Sequence, residues 1–228
     1  MASREAPVLV TGGASGLGAA VVEALRKTGR TALVLDQRKL DDPFALSVDL
    51  ADARAAEAAV RTALERHGGL SGVVTAAGTD ACGTLADVPP ERWERVIRVN
   101  LLGTAAVIRA ALPALERARG RIVTVASTLG LRALPDATAY CASKFGVVGF
   151  TRALAAELAG RVGVTLLVPG GMRTGFFDGR EAKYRPPPEA DLMRPEAVAD
   201  AVVFALERPA DVELRELVVC PPRETSWP

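Results

Sequence analysis

The sequence predicts an α/β protein with a doubly wound parallel sheet of about seven strands and helices on both faces, in three αβα layers. Two observations support this fold class. Short apolar runs alternate with longer helix-compatible segments along the chain, and a glycine-rich turn follows the first of these runs. The 228 residues, 49% of them hydrophobic, are enough for a substantial core. We therefore expect residues 1–228 to form a single domain.

The charge balance argues against a polyanionic partner. The chain has 28 basic and 27 acidic residues, and neither sign forms a long run. We therefore expect no binding of nucleic acid or of a membrane. The first ten residues lack the apolar core of a signal peptide, and we expect a cytoplasmic protein. Cys82, Cys141 and Cys220 show no metal-ligand spacing, so no metal site is predicted.

The first strand and the turn after it predict a dinucleotide site. Residues 7–10 are apolar, and GGASGLG and a helix over about 17–27 follow at once. This order is typical of Rossmann-type folds, in which glycines and a helix N-terminus receive a pyrophosphate. A glycine turn with only a structural role is the alternative. The predicted contacts are Gly12, Ser15, Gly16, Leu17 and Gly18.

An acidic residue at the end of the second strand indicates the cofactor. The strand at 31–35 leads to Asp36, close to the distance at which a carboxylate binds the adenosine ribose. A 2′-phosphate about 4 Å from that carboxylate would be repelled by about 4 kcal/mol at an effective dielectric of about 20. We therefore predict NAD(H) rather than NADP(H). Arg38 and Lys39 follow and would partly offset the repulsion.

The remaining elements alternate regularly. The connection 37–43 is too short and polar for a crossover helix. A long helix at 90–118 is interrupted near Asn100, and its second half is apolar almost all round. Such a helix is buried on both sides, so we expect a second subunit on the side away from the sheet, in a dimer or tetramer. We predict further strands at 44–48, 72–75, 121–126, 164–168 and 214–219, and further helices at 51–66, at about 140–159 and from 195.

Tyr140 and Lys144 indicate chemistry. They lie four residues apart in one predicted helix and therefore share a face. A tyrosine of pKa about 10 acts near pH 7 if its phenolate is stabilised by about 4 kcal/mol, and one charge about 4 Å away supplies that much. Ser127 follows the strand 121–126, at the edge where parallel sheets bind ligands. An isolated pair of this kind is more often a core tyrosine and a solvated lysine, so the rest of the chain decides.

With these motifs in order, the chain resembles the short-chain dehydrogenase/reductase family, in its compact single-domain branch, over about residues 7–219. The resemblance implies an oxidoreductase that transfers a hydride between NAD(H) and a secondary alcohol or ketone. The residues that carry it are TGGASGLG at 11–18, Asp36, Asp49, Ala77 with Gly78, Asn100 in RVNLLG, Ser127, Tyr140 with Lys144, and PGGMRT at 169–174.

The resemblance implies a role for each matching position. Tyr140 would transfer the proton to or from the substrate oxygen, and Ser127 would hold that oxygen. Lys144 would lower the pKa of the phenol and bind the nicotinamide ribose, while Asn100 would hold a water that links Lys144 to solvent. The implied cofactor contacts are Asp49 and Leu50 at the adenine, Ala77 and Gly78 at the adenosine, Tyr140 and Lys144, and Pro169, Gly170, Met172 and Thr174 at the nicotinamide and phosphates.

One pair of residues departs from the family pattern, and the identity of the substrate remains open. Thr75 and Ala76 replace two asparagines, which removes a side-chain bond that stabilises the sheet. The substrate pocket, with a lid at 175–193, is mostly apolar with Arg132 as its nearest charge, so we expect an uncharged or weakly polar substrate. Its predicted lining is Thr79, Leu129, Leu131, Leu134, Phe176 and Phe177.

Two other functions are compatible with the pattern. An NADPH-dependent 3-oxoacyl-thioester reductase of the same fold is disfavoured by Asp36 and by the absence of a basic residue at Ser15. A non-catalytic scaffold that senses NAD(H) would have no use for all four catalytic positions.

Overall fold

The computed structural model describes residues 6–224 and residue 226. The first five residues, on which part of the expectation about the N-terminus rests, lie outside this range. The strands are β1 (Val8–Thr11), β2 (Ala32–Asp36), β3 (Ala45–Ser47), β4 (Gly72–Thr75), β5 (Arg121–Val125), β6 (Gly163–Pro169) and β7 (Glu216–Val219). The helices are α1 (Gly16–Lys27), α2 (Ala53–His67), α3 (Pro90–Ile97), α4 (Thr104–Ala118), α5 (Thr138–Glu157) and α6 (Pro195–Leu206), with a π turn at Arg98–Gly103 between α3 and α4.

The seven strands form one parallel sheet in the order β3-β2-β1-β4-β5-β6-β7. Val10 in β1 lies opposite Val34 in β2 and Val74 in β4. The chain winds outward in both directions from β1 and β4, and ligands bind at such a switch point beyond the carboxyl ends of the strands. The predicted sheet is confirmed, and its ligand crevice is where the sequence places the glycine turn and Ser127.

Two apolar layers hold the helices to the sheet. On one face, α1 and α6 pack together over β1, β2 and β4 in a core that includes Val21, Leu25 and Val202. On the other face, α2, α4 and α5 share a core with side chains such as Leu9 and Ile122. Residues along β1, β2, β4 and β5 are buried on both faces, as parallel strands between two helical layers are. This is the predicted three-layer arrangement.

The interruption predicted near Asn100 is a π turn. An additional residue per turn re-aims side chains there, and such turns are frequent at functional sites. β7 starts two residues later than predicted, at Glu216. The reason is local, because the Glu213 carboxylate, rather than backbone, accepts the Val164 N–H at 2.8 Å.

Helix α4 is covered within the chain along one side. Val107 and Ala111 are fully buried in the core that also contains Val60 of α2. Leu102, near the start of the same apolar run, is 50% exposed, so the second subunit that we expected on this side stays a prediction. By length and hydropathy the helical run 90–118 could cross a membrane, and side chains such as Ile108 and Leu115 pack in the core with α2.

The substitution at Thr75 has the predicted effect. The Thr75 side chain is 2% exposed at the end of β4. Its Oγ1 is buried and makes no hydrogen bond within the part of the chain that the structure describes. The bond that an asparagine would make in the family pattern is therefore missing here, and β4 depends on its backbone ladder and apolar packing.

Candidate active site

The four predicted catalytic residues converge beyond the carboxyl end of β5. Ser127 follows β5, Tyr140 and Lys144 lie one turn apart on α5, and Asn100 lies on the π turn. The Ser127 hydroxyl is hydrogen-bonded to the Tyr140 phenol. The Lys144 ammonium lies 5.6 Å from the centre of the Tyr140 ring. The helical spacing and the end of the strand bring these groups together as predicted.

Burial dominates the acidity of the Tyr140 phenol. It raises the pKa of Tyr140 well above its ordinary value, and the hydrogen bond from Ser127 acts in the opposite direction. The Lys144 ammonium donates to the Val125 carbonyl at 2.8 Å. Its expected lowering of the phenol pKa stays a prediction.

The charge of Lys144 is buried at an energetic cost. Its side chain is 5% exposed, and burial lowers its pKa from 10.5 to about 8. Taking an ammonium out of water disfavours the charged form, and one carbonyl dipole compensates only in part. A lysine with this pKa exchanges its proton readily near neutral pH, which suits a group that passes protons to solvent.

Asn100 ties the π turn to the loop after β4. Its Oδ1 accepts the Thr79 N–H at 2.8 Å, and its Nδ2 donates to the Thr79 carbonyl at 2.9 Å and to Ser143 Oγ at 3.0 Å. Its backbone carbonyl accepts a hydrogen bond from Thr104 Oγ1. A Cβ at Gly78 would lie 3.8 Å from Lys144 Nζ and 3.6 Å from Asn100 Oδ1. Gly78 therefore lies in van der Waals range of the buried ammonium and of Asn100.

The glycine turn fits a pyrophosphate. Gly12 has φ +70°, and a Cβ there would lie 2.8 Å from the Ala77 Cα, so the two loops touch through their backbones. A Cβ at Gly18 would lie 2.2 Å from the Gly12 carbonyl oxygen, so α1 packs directly on the turn. The Ser15 side chain makes no capping bond, and the first turn of α1 has no acidic residue. The N–H groups and positive helix end are thus available to an anion.

Asp36, the predicted contact of the adenosine ribose, lies beside this turn. Its Oδ2 accepts the Ala14 N–H at 3.0 Å and its Oδ1 accepts the Arg38 N–H at 2.9 Å. The carboxylate is 7% exposed, and the half-exposed Arg38 guanidinium pairs with it at 3.4 Å. The carboxylate is therefore fixed beside the glycine turn, with a partial counter-charge.

Of the two residues predicted to contact the adenine, Asp49 lies at the surface and Leu50 is buried. Asp49 accepts two hydrogen bonds from Arg95, at 2.9 and 3.2 Å, and Arg95 also donates to Gln37 at 3.3 Å. Burial opposes the charge of Asp49, but Arg95 and the Ala51 N–H outweigh it, so the pKa of Asp49 is lowered. Leu50 is 6% exposed in the core, so only its backbone can face an adenine. Our sequence analysis did not find Arg95.

The segment after β6 lies opposite the glycine turn. Pro169 ends β6, and a Cβ at Gly16 would lie 3.5 Å from Thr174. Met172 packs on the core under α1 and α6. The Gly171 N–H donates to Glu224 Oε2 at 3.0 Å, so residues near the C-terminus hold Gly170 and its neighbours in place. Sequence reasoning also missed Glu224.

The predicted lid begins directly over Tyr140, the predicted catalytic tyrosine. The Phe176 ring packs on the Tyr140 ring at 5.6 Å and on Phe177 at the same distance. The Met172–Met193 bridge closes the base of the segment. The two phenylalanines thus lie beside the Tyr140 ring, and the rest of the predicted substrate pocket stays a prediction.

The charges near the phenol differ from our expectation. Arg132 is exposed, whereas Asp80 and Arg180 act on Tyr140, with Asp80 raising the pKa of the phenol and Arg180 lowering it. They form an ion pair at 2.8 Å. No periodic pattern links residues so far apart in the sequence, so only the fold reveals this pair.

The comparisons with known proteins agree with this arrangement. The family model for short chain dehydrogenases matches residues 6–185. The chain is 32% identical to glycine betaine reductase ATRR of Emericella nidulans over 93% of its own length, but it spans only 18% of that protein. It is 32% identical to 2-(S)-hydroxypropyl-CoM dehydrogenase 3 of Xanthobacter autotrophicus, covering 87% of this chain and 88% of that one.

Solved structures share the fold. An aldohexose dehydrogenase of Thermoplasma acidophilum superposes with a TM-score of 0.85 at 24% identity, over 97% of each chain. An alcohol dehydrogenase of the archaeon Thermococcus sibiricus, in complex with 5-hydroxy-NADP, superposes with a TM-score of 0.82 at 26% identity, over 94% of this chain and 96% of that one. The chain therefore belongs to the short-chain dehydrogenase family of nicotinamide-dependent oxidoreductases.

Proposed function

We propose that the chain interconverts a secondary alcohol and its ketone with NAD(H), and that Tyr140 is the general acid and base. The observation that carries the proposal is the Tyr140 phenol, hydrogen-bonded to Ser127 with Lys144 one helical turn away. A nicotinamide dinucleotide, when bound, supplies the acceptor or donor of the hydride.

The residues of the chain supply the proton chemistry. In the oxidation direction, the carbinol carbon loses a hydride to the acceptor while Tyr140, which gives up its own proton toward Lys144, takes the proton of the carbinol hydroxyl. Ser127 holds the substrate oxygen in reach of the phenol. In the reduction direction the phenol returns the proton to the carbonyl oxygen. A positioned acid or base of this kind contributes about a hundredfold to ten-thousandfold in rate.

Lys144 and Asn100 complete the proton path. The pKa of Lys144 is about 8, so its ammonium can give up and regain a proton near neutral pH. Asn100 positions the Thr79 backbone and the Ser143 hydroxyl by hydrogen bonds near Lys144. We assign Lys144 to proton exchange between the phenol and solvent and to the ribose of the nicotinamide.

Asp36 supports NAD(H) as the cofactor. Its carboxylate lies beside the glycine turn, where it would accept a hydrogen bond from a ribose hydroxyl and repel a 2′-phosphate. The pairing with Arg38 reduces the repulsion without removing it, because that guanidinium is half exposed. In Asp36→Asn, which keeps the shape and removes the charge, the ratio of NAD⁺ to NADP⁺ affinity should fall about tenfold or more. Asp41→Asn, an exposed neighbour, is the matched control.

The reaction is tested by nicotinamide absorbance with NAD⁺ and NADP⁺ against a panel of secondary alcohols, sugars and hydroxyacyl thioesters. Turnover by the wild type that is lost in Tyr140→Phe, with cofactor affinity retained, is the expected result. Tyr184→Phe removes the only other phenol of the chain and should leave turnover unchanged. Tight NADH binding with no turnover of any compound would contradict the proposal and favour a sensing role.

A further inference from the structure

A buried ion pair joins the loop after β4 to the lid. Arg180 Nη2 lies 2.8 Å from Asp80 Oδ2, and the two side chains are only 16% and 10% exposed. Asp80 also accepts the Ala81 N–H at 2.6 Å and the thiol of Cys82 at 3.3 Å. The carboxylate is therefore held by several donors in one orientation.

Two aromatic rings place this pair next to the catalytic tyrosine. The Arg180 guanidinium carbon lies 4.8 Å from the centre of the Phe176 ring and 4.7 Å from that of Phe177. Phe176 in turn packs on the Tyr140 ring at 5.6 Å. The charges of Asp80 and Arg180 reach the phenol oxygen with opposite effects. The pair thus lies in the wall of the site that receives the reacting carbinol.

The Asp80–Arg180 ion pair favours uncharged substrate groups over charged ones. The pair is neutral as a whole, and a charged substrate group would have to separate it and leave one charge buried without a partner, which is unfavourable. A hydroxyl group fits without separating it, because a hydroxyl both donates and accepts. Arg180 Nη1 also donates to the Tyr184 carbonyl at 3.4 Å. A carboxylate has about four acceptor sites and a guanidinium has five donors, so the pair keeps capacity for one more partner beyond these bonds. The adjacent ring faces suit the carbon skeleton of such a molecule.

We propose that Asp80 and Arg180 are the specificity-determining pair of the site, and that they select a neutral substrate with a second hydroxyl beside the reacting carbinol, as in a vicinal diol or a polyol. This inference rests on the function proposed above. Asp80 accepts a hydrogen bond from the second hydroxyl and Arg180 donates one to it, while Tyr140 and Ser127 engage the reacting oxygen.

A purely structural role makes a different prediction. If the pair only fastened the lid over Tyr140, its removal would lower turnover of every alcohol by a similar factor. If it recognises the second hydroxyl, its removal lowers turnover of the diol and spares that of the mono-alcohol. The ratio of kcat/KM for two matched substrates separates the two roles.

The test uses NAD⁺ with 2-butanol against 2,3-butanediol, and with cyclohexanol against 1,2-cyclohexanediol. The wild type should prefer each diol about tenfold or more, since a site built around a hydroxyl discriminates against the analogue without it. Asp80→Asn and Arg180→Met should reduce that preference to about threefold or less. Lys183→Met, which breaks the exposed pair with Glu181, is the control and should keep it. Retained NADH binding shows that each variant is folded.

Three outcomes would overturn the inference. One is a wild type that turns over the mono-alcohols with no preference for the diols, and another is an equal loss on both members of each pair in the variants. The third is a wild type that turns over neither class, which overturns the proposed function and this inference with it. Turnover of mono-alcohols without a diol preference would leave the proposed function standing and remove only the role of the pair.

Discussion

Burial of Lys144 decides how its charge affects stability. The ammonium is 5% exposed and has one carbonyl, that of Val125, as its acceptor. Its folded-state pKa of about 8 lies below the ordinary 10.5, which corresponds to about 3 kcal/mol against the charged form. Groups retained at such a cost are characteristic of functional sites.

Replacement of Lys144 by Met should therefore stabilise the chain and abolish turnover. We expect the free energy of unfolding at pH 7 to rise by about 1 kcal/mol, because the gain from removing a buried charge is offset in part by the lost bond to Val125. Between pH 8 and 10.5 the wild type becomes more stable as pH rises, since the unfolded chain binds the proton more tightly there. The advantage of the variant should shrink over that window in urea unfolding, and a variant that is less stable at pH 7 would contradict this reading.

Residue patterns in the sequence revealed only part of the site. The spacing of Tyr140 and Lys144 follows from the period of a helix, and Ser127 follows from the end of a strand. Arg95, Asp80, Arg180 and Glu224 escaped detection because their partners are distant in the sequence. The direction of the Tyr140 pKa also required coordinates, because it depends on burial and on where the Lys144 ammonium points.

Residues after β7 form hydrogen bonds with the segment 169–174, which faces the glycine turn. Glu224 accepts the Gly171 N–H through Oε2, and through Oε1 it accepts the Ser226 N–H at 2.9 Å. The Ser226 hydroxyl lies 2.7 Å from Thr128 Oγ1, next to Ser127. These contacts link the C-terminal residues to both the cofactor side and the catalytic side of the crevice.

Glu224→Ala should loosen this connection. We expect NAD⁺ affinity to fall about threefold to tenfold and the free energy of unfolding to fall by about 1 kcal/mol, as for the loss of charge-assisted hydrogen bonds near the surface. Burial works against this charge, but hydrogen bonds from Ser226 and Gly171 outweigh it, so the pKa of Glu224 is lowered below 4.5. Its contribution is therefore present above about pH 4.5 and disappears as pH falls below that value.

Isothermal titration with NADH and thermal unfolding at pH 7 measure both effects of Glu224→Ala. Glu189→Ala removes an exposed carboxylate and is the control. Unchanged affinity and unchanged stability in the Glu224 variant would show that the contact with Gly171 does not support the cofactor segment.

The elements of secondary structure were predictable because their pattern is local. Residues 72–75 were predicted as a strand and are β4, since a short apolar run bounded by glycine and alanine turns suffices. The interruption of the long helix at Asn100 was also predicted, but a sequence does not reveal that it is a π turn. The start of β7 was missed because a side chain, that of Glu213, replaces a backbone partner.

For the whole molecule, alternation of strands and helices predicted the layers and the sheet, but the covering of α4 needed the three-dimensional arrangement. We propose that the chain is a homo-oligomer, because apolar side chains of the run 90–118 and of α5 remain exposed. Leu102 on the π turn is 50% exposed and Phe145 on α5 is 44% exposed, and these two elements pack together. A Cβ at Gly149, one turn beyond Phe145, would meet open space.

Sedimentation velocity at micromolar concentration should therefore find a dimer or a larger assembly. Phe145→Glu places a charge in this apolar patch and should shift the equilibrium toward the monomer, whereas Leu85→Glu, at an exposed loop position, should not. A wild type that sediments as a monomer would contradict the proposal.

Direct hydride transfer governed by Tyr140 is the central claim, and one measurement tests it most directly. A secondary alcohol with deuterium on its carbinol carbon is incubated with NAD⁺ and the enzyme, and the reduced nicotinamide is analysed by mass spectrometry. We predict that the deuterium appears in the reduced cofactor and that Tyr140→Phe slows its appearance by about a hundredfold or more, with NAD⁺ affinity unchanged. Deuterium released to water, or a Tyr140→Phe variant that transfers it at the wild-type rate, would contradict the account.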